Sequence, residues 1–333
     1  MLLAGDIGGT KTILALYREG SNPTSPLCED TYPSGRYDSL EAIVREFLQS
    51  RTEHPQVHRA VFGVAGPVVT GKATLPNLPW VIEETKLKRE FGFQGIAMIN
   101  DLEAIGHAVP ALGDGDLERI KQGSVQARGN IAVLAPGTGL GETFLRRNGS
   151  RYSVHPSEAG HGDFAPVDDL QIGLLEYMLQ RFDHVSYERV CSGTGIPNIY
   201  AYLRDRALAE EPAWLADEMA RATDPNAVII NTAMKSKADC RICTLTVQTF
   251  VSILAAEAGN MVLRHMATGG LYLGGGIPPR IVPFLRQPNF EKWFVRKGRL
   301  SHLPERTPVQ VIMHPKAALV GSASFCLQQA EQG

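Results

Sequence analysis

The sequence predicts an α/β protein folded as two lobes, on three observations. Short apolar runs of strand character alternate with longer segments whose apolar residues recur every three or four positions. One strand–turn–strand pattern occurs twice, about 130 residues apart. The chain, 333 residues with 44% hydrophobic and 20% charged, is also long enough for two units of about 100–200 residues each.

The strand runs, in order, are LLAG (2–5), AVFGVAG (60–66), GIAMIN (95–100), IAVLAPG (131–137), LYLGGG (271–276) and VQVIMH (309–314). Helical spacing of apolar residues marks SLEAIVREFLQS (39–50), LEAIGHAV (102–109), LQIGLLEYMLQRF (170–182), the long stretch Leu245 to Met266, and AALVGSASFCLQQ (317–329). The stripe from Leu245 to Met266 reads as core rather than as a cofactor box. LCEDTYPSGRYD (27–38) and TEHPQ (52–56) read as loops by their Pro, Gly and Asp content. GPVVTGKATL (66–75) reads as a β-hairpin turn.

The repeated pattern is LAGDIGGTKTILAL (3–16) and VLAPGTGLGETFLR (133–146). Each runs from an apolar strand into a Gly-Thr-rich turn and out into another strand. This predicts a duplicated architecture with one phosphate-binding hairpin in each lobe. Adjacent glycines allow backbone N–H groups to approach a ligand that a side chain would block. Two other glycine motifs fail by spacing. A dinucleotide fingerprint needs a third glycine where Glu142 stands, with a helix rather than the strand-like TFL after it. A P-loop beginning at Gly66 would place Ala73 where a magnesium-binding hydroxyl is needed.

Composition excludes several classes of partner. The formal charge is -2 with no basic stripe, which argues against nucleic acid. No apolar run approaches the roughly 18 residues of a membrane span, and Asp6 falls where a signal peptide has its apolar core. Five cysteines, Cys28, Cys191, Cys240, Cys243 and Cys326, make an odd set without a framework, as suits a reducing compartment. A cytoplasmic protein is the expectation.

Chemistry is concentrated at strand ends. Asp6 closes a buried-looking strand, where a carboxylate is costly unless it meets a cation such as magnesium carried with a triphosphate. IND (99–101), PSEAGHGDF (156–164) and SYERVCSGTG (186–195) gather acids and amides at the ends of elements, and each sugar hydroxyl needs both donors and acceptors. A sugar pocket follows.

GDIGGT, INDLEAIGHAV, PGTGLGE, SEAGHGDFAP, ERVCSGTG and LGGGIPPR, in this order over nearly the whole chain, resemble the bacterial glucokinase family of the actin/hexokinase-like (ribonuclease H-like) fold. The resemblance implies two lobes with a cleft between them, and ATP-dependent phosphorylation of glucose at the 6-hydroxyl, the first step of glycolysis. It implies phosphate binding by Gly5, Asp6, Ile7, Gly8, Gly9 and Thr10 in the first hairpin and by Gly137, Thr138 and Gly139 in the second. Gly274, Gly275 and Gly276 would lie against the adenosine. Asn100 and Asp101 would contact sugar, with Asp101 as the base, while Glu158, His161 and Glu188 match positions that contact sugar hydroxyls and Asn77 matches a weaker one. Asp6 would hold magnesium, possibly through water. A homodimer is the assembly the resemblance implies, with lobes at 1–109 plus 314–333 and at 110–313.

Structural readings stand beside these. Asp101 follows a strand and suits a helix N-cap, Glu188 suits a solvated carboxylate at a helix start, and His161 suits a structural histidine. Cys240 and Cys243 form a lone C-x-x-C that reads as free helical thiols rather than a zinc site. The related ROK sugar kinases share the glycine hairpin and the E-x-G-H pattern of Glu158 to His161, but add a cysteine-rich zinc cluster after the histidine. Here no cysteine follows until Cys191, which points to the zinc-free group. A sugar-sensing regulator of the same fold would carry a DNA-binding segment ahead of the first phosphate strand, which here starts at Leu2.

Overall fold

The computed structural model describes residues 1–52, 55–75, 78–124, 129–235 and 240–331. The chain divides into two compact units, Met1–Asp116 with His314–Gly333, and Leu117–Met313. Residues 110–116, which the sequence reading placed in the second lobe, fall in the first unit. The turn Val109–Ala111 packs there against helices Asp101–Ala108 and Ala317–Ala330.

The first unit is built on strands β1 (Leu2–Ile7), β2 (Lys11–Tyr17), β3 (Cys28–Pro33) and β4 (Arg59–Val64), with the small strands β5 (Val68–Val69), β6 (Lys72–Thr74) and β7 (Val81–Glu83), and then β8 (Gly95–Asn100). The main sheet has the order β3-β2-β1-β4-β8. Its first three strands are an antiparallel meander, and β4 and β8 add in parallel. One face carries Leu3, Ile7, Phe62 and Phe47 of helix Leu40–Gln49. The other carries Leu2, Ala4 and Val61 against Ala104, Leu319 and Ala323 of helices Asp101–Ala108 and Ala317–Ala330. The 66–75 hairpin is formed by β5 and β6, with Thr70 and Gly71 both at positive φ between the paired Val69 and Lys72, the backbone of a type I′ turn.

The second unit comprises strands β9 (Leu117–Lys121), β10 (Ile131–Pro136), β11 (Leu140–Asn148), β12 (Arg151–Ser157), β13 (Gly270–Leu273) and β14 (Val309–Ile312), in the order β12-β11-β10-β13-β14-β9. Again an antiparallel meander, β10-β11-β12, is followed by two parallel strands. The repeated sequence pattern therefore marks a repeated topology, and β9 is the addition. Helix Arg241–His265 runs through the core of this unit with helices Gly195–Asp205, Pro225–Lys235 and Pro288–Val295 packed on it.

Two expectations need correction. Residues 27–38 are not wholly loop, because β3 pairs with β2 through Ile13↔Thr31 and Thr12↔Tyr32 and is followed by a 3₁₀ turn at Ser34–Arg36. β3 is an edge strand, polar except for buried Tyr32 and ending in a proline, so it shows no alternation to read. The reading of 52–56 as loop falls partly on residues 53 and 54, outside the described residues. Secondly, helix Arg241–His265 is by length and composition apolar enough to cross a membrane, although most of it is buried within the unit. Its polar residues disguise this in the sequence. Thr246, Thr249 and Ser252 donate their hydroxyls back to the carbonyls of Ile242, Leu245 and Thr249 at 2.7–2.8 Å, and so sit in the interior at little cost.

Candidate active site

In the first unit the β1–β2 hairpin turns through Gly8, Gly9 and Thr10, closed by the Gly8 N–H to the Lys11 carbonyl (3.0 Å). A second set of bonds comes from the 3₁₀ turn after β3. The buried Ser34 hydroxyl donates to the Gly8 carbonyl (2.7 Å) and lies 3.0 Å from Thr12 Oγ1, while the Ser34 N–H donates to the Thr10 carbonyl (3.0 Å). With these carbonyls occupied, the turn's backbone is held from behind. Ser34 is not singled out by the sequence, since the 27–38 stretch reads as loop.

Alternation puts Asp6 on the same face of β1 as Leu2 and Ala4, toward helices Asp101–Ala108 and Ala317–Ala330. Burial pushes its carboxyl up to about 6; the Asp101 charge adds to the rise and Lys11 opposes it. The structure therefore brings Asp6 and Asp101 within each other's field, although β4 lies between β1 and β8.

β8 ends at Asn100, and the helix begins at Asp101. Asn100 is the N-cap: its Oδ1 accepts the Leu102 N–H (2.9 Å) and its Nδ2 donates to the Gly66 carbonyl (3.0 Å). Asp101 is thus not the cap but the first helical residue, its own Oδ1 also 2.9 Å from the Leu102 N.

In the second unit the β10–β11 turn is made by Gly137, Thr138 and Gly139, with the Gly137 N–H to the Gly139 carbonyl (2.9 Å) and the Gly193 N–H to the Gly137 carbonyl (2.7 Å). Glu188 is tied in here. Its Oε2 accepts the Leu140 N–H (2.9 Å), and its own N–H donates to the Gly160 carbonyl (2.9 Å). It is not a solvated helix-start carboxylate, since the next helix begins only at Gly195. His161 lies between two acids, Nδ1 3.9 Å from Glu188 Oε1 and Nε2 3.9 Å from Glu158 Oε2. Glu158 and His161 are exposed at 82% and 60%, open to a ligand. Gly160 is required by close approach, because a Cβ there would collide with the Leu140 carbonyl. Gly274 to Gly276 follow β13, with the Gly274 N–H on the Leu134 carbonyl (2.9 Å) and Gly275 at φ +79° packed against the Pro136 carbonyl.

The predicted residues therefore gather into two groups: Gly5 to Thr10 with Asn100 and Asp101 in the first unit, and Gly137 to Gly139, Glu158, His161, Glu188 and Gly274 to Gly276 in the second. The glycine turns, Asn100 and Asp101 lie at or just after the carboxyl ends of parallel strands, where ligands bind in open α/β sheets, whereas Glu158 and His161 follow the antiparallel β12 and Glu188 lies in the turn before helix Gly195–Asp205. Asn77 lies outside the described residues. Cys240 and Cys243 are free thiols buried at the start of the long helix, and burial raises the Cys243 thiol well above its usual range.

A profile described as Glucokinase matches residues 3–329. The glucokinase of Trichormus variabilis is 39% identical over 336 residues, covering 97% of this chain and 98% of that protein. Among solved structures, a glucokinase from an Antarctic psychrotroph superposes with a TM-score of 0.86 at 32% identity over 98% of both chains. A ROK family glucokinase from Streptomyces griseus, solved with glucose and AMPPNP, reaches only 0.63 at 19% identity, covering 98% of this chain and 99% of that one, a likeness of fold. The matches run through both units and both groups of site residues, with an actin/hexokinase-like ATPase fold, and the chain belongs to the glucokinase family.

Proposed function

We propose that the protein transfers the γ-phosphoryl group of ATP to the 6-hydroxyl of glucose, with Asp101 as the base. The observation that carries this reading is the placement of Asp101 in a family member: the first residue of a helix, its cap role taken by Asn100, beside the first glycine hairpin and Asp6. The glucose O6–H proton passes to the Asp101 carboxylate, O6 bonds to the γ-phosphorus, and the bond from that phosphorus to the β,γ-bridging oxygen breaks to release ADP. The transition state is loose, so positioning and charge neutralisation do most of the work. Backbone N–H groups of the Gly8–Thr10 and Gly137–Gly139 turns, other than those of Gly8 and Gly137 that close the turns themselves, serve the phosphate oxygens. The Gly274–Gly276 turn, without side chains, serves the adenosine. Asn100, Glu158, His161 and Glu188 serve the sugar hydroxyls, and Asn77 joins them by the resemblance alone.

Magnesium is the metal this donor set fits. Two carboxyls in one field, with Asp6 raised by burial and by Asp101, are hard oxygen donors that a dication relieves. Asp6 would hold it, directly or through water, and the ion would neutralise phosphate charge. We place the enzyme in the cytoplasm as a homodimer, in the first step of glycolysis.

The test is a coupled assay of ADP release across a sugar panel with magnesium and without zinc. Glucose should exceed mannose and N-acetylglucosamine in kcat/KM by roughly 10²-fold or more, because an inverted or blocked hydroxyl leaves polar partners that the bound sugar desolvates unpaired. Equal values for the three sugars would reject the pocket, and activity that appears only with stoichiometric zinc would reject the metal.

Ser34 supplies a second check on the phosphate side. Ser34→Ala removes the hydroxyl that holds the Gly8 carbonyl and should raise KM for ATP by about three- to tenfold, the worth of one hydrogen bond of about 1 kcal/mol, with glucose affinity unchanged. An unaltered KM for ATP would mean that the hairpin holds its shape without the latch.

A further inference from the structure

Beneath the sugar-facing segments of the second unit lie two buried carboxyls, beside one half-exposed guanidinium, that the chemistry above does not use. Glu142, three residues beyond Gly139, is 1% exposed, and neither of its side-chain oxygens has a hydrogen-bond partner among the described residues. Glu257, in the middle of the long helix, is 0% exposed, ion-paired with Arg264 and bonded by Asn260 Nδ2 at 2.9 Å. The Arg264 guanidinium also lies 3.9 Å from Glu142 Oε2, so two carboxyls share one guanidinium.

Other groups face the cluster from each neighbouring element. Lys297 stands on the Glu257 side, donating to Asn260 Oδ1 and the Ala256 carbonyl at 2.8 Å each. Cys191 and Tyr187 face the acids from the turn that carries Glu188, and burial keeps both neutral.

The backbone around Glu142 leads directly to the sugar-facing residues. Its carbonyl accepts the Ser157 hydroxyl (2.9 Å), and the two residues pair across β11 and β12, one position before Glu158. Leu140, two positions earlier, holds Glu188 and abuts Gly160. From the other side, Asn260, which holds Glu257, donates to the Tyr187 hydroxyl (3.2 Å), and the Tyr187 N–H donates to the Gly162 carbonyl (2.9 Å).

We propose that Glu142, Arg264 and Glu257 form a positioning device for the segments carrying Glu158, His161 and Glu188, and that through it sugar affinity answers to pH. This rests on the sugar-binding reading of those segments. Burial, then the Glu257 charge, raises the Glu142 carboxyl to about 8, with Arg264 opposing. While Glu142 is neutral it needs no counter-charge and leaves Arg264 to Glu257. Once ionised it competes for the same guanidinium, since a buried carboxylate cannot stand unpaired. Glu257, its charge no longer matched by Arg264, draws its remaining donors, the Asn260 amide and the Tyr187 hydroxyl, toward itself, and the Glu188 turn moves with Tyr187.

The linkage has a definite sign. The folded value lies above the ordinary 4.5, so between about 4.5 and about 8 the folded protein keeps a proton that the unfolded chain has lost. Glu142 therefore lowers stability as pH rises through that window, and its effect levels off above it.

Glu142→Gln mimics the neutral carboxyl. Glucose affinity is measured by titration calorimetry without nucleotide at pH about 7 and about 9, on either side of the Glu142 value of about 8, and Tm is followed across the same range and down to about 5. The wild-type Kd for glucose should weaken about fivefold over that step, the low end of coupling between linked sites, while the variant stays within about twofold. The Tm of the variant should exceed that of the wild type by a margin that widens to about pH 8 and then holds steady. Parallel profiles for the two proteins overturn the proposal. If the variant does not fold, the wild-type Kd alone decides, and a flat profile through that step overturns it. A wild type that binds no glucose at any pH refutes the sugar-site reading instead, and the proposed coupling with it.

Discussion

Asp101→Asn should bind glucose with nearly unchanged affinity and turn over roughly 10²–10⁴ times more slowly, the usual contribution of a positioned base. The amide keeps the shape and can still accept the Leu102 N–H, and the cap belongs to Asn100, so the helix has no reason to fray. Only the basic carboxylate is lost. Asp6→Asn is the contrasting variant. It should weaken use of the magnesium nucleotide and leave glucose binding without nucleotide intact, because Asp6 sits at the phosphate hairpin. Calorimetry for glucose and kcat for both proteins decide the matter, and an Asp101→Asn enzyme with near wild-type kcat would end the assignment of the base.

Gly321→Ala should be among the most damaging single-methyl changes in the molecule. Gly321 lies on helix Ala317–Ala330 where it crosses helix Asp101–Ala108, and an added Cβ would stand 2.5 Å from the Ala104 carbonyl carbon, overlapping its oxygen, and 3.0 Å from the Ala108 N. Backbone cannot yield as a side chain can. The two helices must part, at a cost of roughly 3 kcal/mol, the upper end for overpacking. Since Asp101 begins the displaced helix, kcat should fall with Tm. Gly115→Ala, where a Cβ meets nothing within 4 Å, is the control. A Gly321→Ala protein with the Tm of that control would show that the helices are not in such close contact.

What the sequence discloses depends on how a feature is written. The two hairpins are legible because a Gly-Thr turn between apolar strands appears twice, and the parallel strands because β1, β4 and β10 are buried on both faces and, Asp6 and Arg59 apart, apolar. β3 is not legible, because an edge strand with one buried side chain has no pattern. Ser34 is hidden with it, and so is the latch on Gly8. Asp101 and Asn100 are adjacent letters whose division of labour depends on φ and ψ, and only the fold separates the cap from the residue after it. Glu142 is the clearest case. In the sequence it stands where a dinucleotide motif would have its third glycine, and its meaning comes from Glu257 and Arg264, more than a hundred residues later on the long helix.

The first unit is made from two stretches of chain, Met1–Asp116 and His314–Gly333, separated by the whole of the second unit. Helix Ala317–Ala330 covers the face of β1 and β4 that bears Leu2, Ala4 and Val61. During synthesis from the amino end, the second unit is made and can collapse while that face is still bare, and the first unit must wait for helix Ala317–Ala330 to emerge. An exposed apolar sheet face in that interval is a surface for aggregation or for a chaperone. Emergence of that one helix thus becomes the event that completes the half of the enzyme carrying Asp101.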